Sequence, residues 1–365
     1  MNQDRISVQN YTSSTGRKTS SKPAPALDIL LPIVRSKIES PVLIALGAPW
    51  PVTQVVEALA GLKVTCFQMD FFQAQRLREK LAQESLEAEV VVHGDLWDVP
   101  GSFKTILFPS AAHADRELKL DIVEQGFHLL EDGGRFITLS EYERDDTFLK
   151  LHKKVFGKCS EAPRSEFGSC FWSNKEGDQP KRRHEVTFRA KINDGPSQQF
   201  ASWPGTFSYG QMDAGSRAML EVADIRPGDK VLDLGCGNGS VGCLASVPAG
   251  PTGSVLFVDS NARALKLTEL NANTNGVKNF KLLLSADLLD IPVGEFDVVL
   301  ANPPYYANSE VGRMFIATGR EVLRPGGRFY FVTKMPVRTI PEIVELFGQV
   351  DSVENRGYTV VIATA

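Results

Sequence analysis

Asp233-Leu234-Gly235-Cys236-Gly237-Asn238-Gly239 follows the apolar pair Val231-Leu232 and leads into a stretch with helical spacing. Glycines at alternate positions let a backbone turn pass beneath a ligand where any Cβ would clash. The run reads as the end of a strand, a tight turn and the start of a helix. In open α/β sheets ligands gather at that place. A nicotinamide fingerprint requires GxGxxG, and counted from Gly235 its last position holds Ser240.

Outward from this turn, strand-length apolar runs recur at 254–258, 280–284, 296–300 and 328–332, with helical patterns between them. One such helix, 262–275, starts after a capping Ser260 or Asn261. Strands alternating with helices predict βαβ units and a mostly parallel sheet. The first half repeats the scheme. Gly47 aligns with Gly235, Asp70 with Asp259, Asp95 with Asp287, and Gly133 with Gly326. The fold class is therefore α/β, with two tandem Rossmann-like domains. The expected division is a disordered tail over 1–25, a first domain over 26–173, a linker with a connecting strand over 174–199, and a second domain over 200–365.

Composition narrows the function classes. The chain has 365 residues, 42% hydrophobic and 23% charged, which supports folded cores and excludes a mainly disordered protein. No apolar run reaches the ~18–20 residues of a membrane helix. The first 25 residues lack an apolar secretory segment. The five cysteines form no CxxC pair and read as reduced cytosolic thiols, and the five histidines show no metal-ligand spacing. Residues 51–150 hold 10 basic and 18 acidic side chains, whereas 151–200 hold 10 basic and 6 acidic. Any contact with nucleic acid is thus local. Lys181, Arg182, Arg183, Arg313, Arg320 and Arg324 are candidates for it.

Three acids follow successive strands of the second half. Asp233 can meet a cationic amino-acid group, Asp259 a pair of ribose hydroxyls, and Asp287 an adenine amino group. After the strand at 296–300 comes Asn302-Pro303-Pro304-Tyr305. Pro303 pushes Asn302 into extended geometry, and the two prolines remove two backbone donors. The Asn302 amide oxygen and the Pro303 carbonyl can then accept from one planar exocyclic NH2, with Tyr305 offering a face for a flat base. Cys236 reads as a small filler and Trp203 as a linker anchor.

With these motifs the chain resembles the class I S-adenosylmethionine-dependent methyltransferases that carry NPP and an aromatic residue. More closely it resembles the tandem-domain ribosomal RNA guanine-N2 methyltransferases, over roughly residues 26–365. The resemblance implies seven-stranded sheets, a degenerate first domain and a catalytic second domain that binds S-adenosylmethionine without a metal. It places Phe207, Asp213, Gly215 and Ser216 near the cofactor, beside Asp233, Gly235, Gly237, Gly239, Asp259, Asp287 and Asn302. Asn302, Pro303, Pro304 and Tyr305 would hold the target base. It further implies a cytoplasmic, monomeric enzyme acting on ribosomal RNA or a ribosomal subunit. The guanine enzymes usually have Phe where this chain has Tyr305, so adenine N6 and protein glutamine stay open as targets. A non-catalytic RNA-binding module is the alternative of a different class.

Overall fold

The computed structural model describes residues 27–110, 115–163, 165–166, 168–304 and 309–365. The tail expected over 1–25 and Tyr305 lie outside them. The first sheet comprises β1 (Val42–Ala45), β2 (Val64–Gln68), β3 (Glu89–Val92), β4 (Phe103–Ser110), β5 (Leu130–Ser140), β6 (Ser160–Glu161) and β7 (Ser169–Asn174). A two-stranded ribbon, β8 (Val186–Ala190) and β9 (Gln198–Ser202), follows it. The second sheet comprises β10 (Lys230–Leu234), β11 (Ser254–Asp259), β12 (Phe280–Leu284), β13 (Phe296–Ala301), β14 (Leu323–Thr333), β15 (Val350–Asn355) and β16 (Tyr358–Thr364).

Both large sheets share one topology. The orders are β3-β2-β1-β4-β5-β7-β6 and β12-β11-β10-β13-β14-β16-β15. Strands β7 and β16 each run antiparallel to both of their neighbours. The helices are α1 (Leu27–Lys37), α2 (Pro49–Ala58), α3 (Phe71–Gln83), α4 (Arg116–Leu129), α5 (Asp146–Phe156), α6 (Ala214–Val222), α7 (Ser240–Ala249), α8 (Ala262–Thr274), α9 (Ser309–Val322) and α10 (Pro336–Phe347). Central strands are apolar on both faces because helices cover both. In β10, Val231 packs with Phe200 and Phe257 on one face, and Leu232 packs with Val299 and Phe329 on the other.

The strand register corrects two of the expected equivalences. Ile44 pairs with Cys66 as Asp233 pairs with Phe257, and the Leu46 N–H meets the Phe67 carbonyl as the Gly235 N–H meets that of Val258. Leu46, not Gly47, therefore stands at the place of Gly235. Gln68, not Asp70, stands at the place of Asp259. Asp70 instead corresponds to Asn261: each caps the helix that follows, α3 and α8. Asp95 does correspond to Asp287, since His93 and Ser285 start the two turns with matching backbone bonds.

The two halves meet where β2 and β11 end. Asp70 and Asn261 form an antiparallel bridge, flanked by Phe71 N–H to the Ser260 carbonyl at 2.7 Å and Ala262 N–H to the Met69 carbonyl at 2.7 Å.

Candidate active site

The turn after β10 is built from left-handed backbone. Gly235, Gly237 and Gly239 have φ of +76°, +56° and +75°, values that β-carbon-bearing residues avoid. At Gly239 space adds to the constraint, since a Cβ there would lie 2.7 Å from Thr268. The loop floors a cleft of about 400 Å³, counting space open to solvent, whose walls include Phe207, Asp213, Ser216, Asp233 and Asn302.

Sequence reading missed one residue here. Gly242, in the first turn of α7, donates its N–H to Asp233 Oδ2 at 2.8 Å, and a Cβ on it would meet the Phe257 ring at 2.3 Å. It holds the helix against the sheet and fixes the carboxylate. The signal was present, because Gly237-Asn238-Gly239-Ser240-Val241-Gly242 is itself a GxGxxG, read from Gly237 rather than Gly235. What separates this domain from a nicotinamide-binding one is therefore the sheet, with antiparallel β16 inserted beside β14.

Asp259 ends β11 with both oxygens oriented by main-chain donors: Oδ2 by Gly237 N–H and Oδ1 by Asn261 N–H, each at 2.8 Å. Each oxygen keeps a second lone pair, so a vicinal diol is a matching ligand. Burial raises the carboxyl of Asp259 above its ordinary range. Asp233 lies deeper, and burial, with Asp259's charge adding to it, pushes its carboxyl up to about 7 against the opposing Gly242 N–H.

Asn302 follows β13 and is held by α6. Its Nδ2 donates to Asp213 Oδ1 at 2.8 Å and to Ser216 Oγ at 2.9 Å. An ionised carboxylate only accepts, so the amide nitrogen must face Asp213 and the acceptor atom is Oδ1. Asp213 also caps α6 through Ser216 N–H at 2.9 Å. The residues expected merely near the cofactor thus also orient the catalytic candidate.

Other expected residues sit apart from the cleft walls. Gly215 is buried in α6 and Gly239 caps α7. Asp287 accepts from Leu289 N–H at 3.2 Å within its own turn. Pro303 is buried and Pro304 exposed beside Asn302. Cys236, by contrast, lines the cleft between Gly235 and Gly237, with its thiol against Thr268 and raised by burial, so it is an inert filler there. Trp203 anchors the linker, with its Nε1 donating to Glu185 at 2.7 Å.

Among the basic candidates, Arg183 is corrected: it is committed to Asp95 at 2.7 Å and stacks on Trp203, away from any phosphate role. Arg313 pairs with Glu342, and Arg324 with Asp297. Lys181 lies over the Trp97 ring at 5.7 Å, and Arg182 remains exposed. Among the described residues no three His, Cys, Asp or Glu side chains gather as a metal site, and no helix is long and apolar enough to cross a membrane.

A sheet of this order with six parallel strands and one antiparallel strand, here present twice, defines the class I methyltransferase architecture, and in the second half a glycine turn follows the first strand and NPP the fourth. Residues 197–362 match the methyltransferase small domain family. The ribosomal RNA small subunit methyltransferase C of Pseudomonas entomophila is 31% identical over 182 residues, 48% of this chain and 54% of that protein. The chain thus spans about half the length of such small-subunit relatives. The ribosomal RNA large subunit methyltransferase G of Streptomyces avermitilis is 24% identical over 337 residues, 88% of this chain and 86% of that one. Among solved structures, a T. thermophilus 16S rRNA N2 methyltransferase in complex with AdoMet and guanosine superposes with a TM-score of 0.71 at 21% identity, covering 96% and 93% of the two chains. That likeness extends the shared fold to both halves.

Proposed function

We propose that the protein is an S-adenosylmethionine-dependent methyltransferase acting on the exocyclic N2 amine of guanine in ribosomal RNA. The observation that carries this reading is the Asn302 amide, fixed by Asp213 and Ser216 at the wall of the glycine-floored cleft. The names of the relatives along the chain agree with it. Ribosomal RNA or a ribosomal subunit is then the partner, and the cytoplasm the compartment. The chain acts as a monomer, because each half already covers part of the other.

The residues present suit the cofactor. Asp259 would take the ribose hydroxyls, Asp233 the cationic amino-acid end, and the bare backbone of Gly235 and Gly237 would underlie it. When bound, S-adenosylmethionine supplies an electrophilic methyl group carried on a sulfonium. Asn302 Oδ1 and the Pro303 carbonyl accept hydrogen bonds from the target amine, which turns its lone pair out of conjugation. These acceptors also stabilise the positive charge the nitrogen gains. Phe207 and α6 wall the cleft and limit water. The base must be unpaired or flipped to reach Asn302. Ile44, Leu46 and Gln68 occupy the first domain's places for Asp233, Gly235 and Asp259, which supports a first domain without cofactor.

Two outcomes follow for the cofactor site. Asp259→Ala is expected to raise the cofactor Kd roughly 10- to 100-fold, the worth of one to two charge-assisted hydrogen bonds, with kcat changed much less. Calorimetric titration reads it, and an unchanged Kd removes the ribose role. Because the Asp233 carboxyl is raised to about 7, it is neutral below that pH in the ligand-free protein. Binding a cation requires the carboxylate, so affinity should rise about fivefold from pH 6 to pH 7 and then level off. A flat profile would place the ammonium elsewhere.

The reaction itself is tested with labelled S-adenosylmethionine on undermodified ribosomal RNA and subunits, followed by nucleoside mass spectrometry. N2-methylguanosine supports the proposal. N6-methyladenosine would show Tyr305 to be the better guide to the base, and label in protein glutamine would replace RNA as substrate.

A further inference from the structure

We propose that Asp95, on the first domain, is a positioning residue of the cofactor site: by holding Arg263 it fixes the loop that presents Asp259. The inference rests on the reading of Asp259 given above. Asp95 stands where the second domain has Asp287, and in the first domain the acid at this place faces the other half of the molecule.

Arg263 is fully buried, and every nitrogen of its guanidinium is used. Nε donates to the Gly94 carbonyl at 2.7 Å. Nη1 reaches Asp121 at 2.7 Å and the Pro204 carbonyl at 2.6 Å, and Nη2 reaches Asp95 at 3.2 Å. Lys266, one turn along α8, bonds Asp95 and Asp98 at 2.7 Å each, and Arg183 closes the other side of Asp95. Gly94 lets the helix come this close, for a Cβ there would lie 3.3 Å from the Arg263 Cα. Burial disfavours the Asp95 charge, but the three cations outweigh it and hold the carboxyl at about 2, so the anchor is charged at any working pH.

The anchor connects to the cleft by three short routes. Arg263 N–H bonds Asn261 Oδ1 at 2.9 Å, and Asn261 N–H bonds Asp259 Oδ1 at 2.8 Å. Between them, Ser260 Oγ donates to Asp70 at 2.8 Å, so the first domain grips this loop at consecutive residues. On the opposite face of α8, Thr268 bonds the Gly237 carbonyl at 3.1 Å and Asn271 the Asn238 carbonyl at 2.8 Å, so a shift of α8 moves the glycine turn. Lastly, Pro204 lies three residues before Phe207, a cleft wall.

The test uses the full-length protein with Asp95→Asn, which keeps the volume and removes the charge. The cofactor Kd and KM are expected to rise about tenfold while kcat and the KM for RNA stay within twofold. Asp229→Asn is the structural control: it weakens the Arg328 pair at the far end of β10, and should lower the melting temperature with cofactor affinity unchanged. If Asp95→Asn lowers the melting temperature but binds S-adenosylmethionine like the wild type, the positioning role is overturned. Should Asp95→Asn fail to fold, Arg263→Lys, which keeps the cation but gives up the fork spanning Asp95, Gly94 and Pro204, carries the same test: a severalfold weaker Kd supports the inference and an unchanged Kd overturns it. Wild-type protein that binds no S-adenosylmethionine would instead overturn the cofactor reading on which this one rests.

Discussion

Asn302→Ala is expected to lower kcat by about 10²- to 10³-fold, the range seen when one preorganised hydrogen-bonding group is removed from a transition state. The cofactor Kd should stay within about twofold, because the amide side chain is turned to the acceptor role by α6 and does not support the Asp259 loop. Losing the side chain removes the acceptor that directs the amine lone pair, and it also takes the Asn302 Nδ2 donor from Asp213 Oδ1, which keeps the Ser216 N–H that caps α6. Single-turnover rates beside equilibrium cofactor binding separate the two effects. Equal loss of both would make Asn302 part of the cofactor site or the scaffold. Asp213→Ala should follow in the same direction with a smaller effect, since it frees the Asn302 amide to rotate.

Arg263→Ala is expected to destabilise the protein by about 3–5 kcal/mol, because it strands Asp95 and Asp121 in the interior without their shared cation. Denaturant unfolding of the full chain measures it, and a loss below about 1 kcal/mol would show that Arg183 and Lys266 suffice. The pH dependence has a defined sign. In the wild type the Asp95 carboxyl is held at about 2, below its ordinary 3.8, so its contribution is complete above the ordinary value and is lost only as pH falls toward 2. A depression of that size corresponds to roughly 2 kcal/mol. In Arg263→Ala the acid limb of the stability curve should move to higher pH.

Much of this molecule is legible along the chain. Alternation of apolar runs with helical spacing gives two α/β units, because a strand buried on both faces has to be apolar throughout. The glycines at 235, 237 and 239 announce a left-handed turn, and Asn302-Pro303-Pro304 announces a rigid, acceptor-rich corner, since these are backbone properties of the residues themselves. Side-chain partnerships between distant segments are another matter. Nothing local says that Asp213 and Ser216 clamp Asn302 some 90 residues away, or that Asn271 bonds both the glycine turn and β9. The repeat was visible, but its register was not. Matching like residues aligned Asp70 with Asp259, whereas hydrogen-bond ladders align Gln68 with it, because spacing in a strand is fixed by its neighbour and not by residue identity. Arg183 read as a candidate for nucleic-acid contact and Asp95 as the counterpart of Asp287, yet the two are paired with each other, and Asp95 also holds Arg263. Sequence alone determined the two folds and the chemistry available at the strand ends. Tertiary structure alone decided which acids face a ligand and which face the other domain, because burial and charge pairing depend on what is brought within about 3 Å, and chain spacing does not encode that.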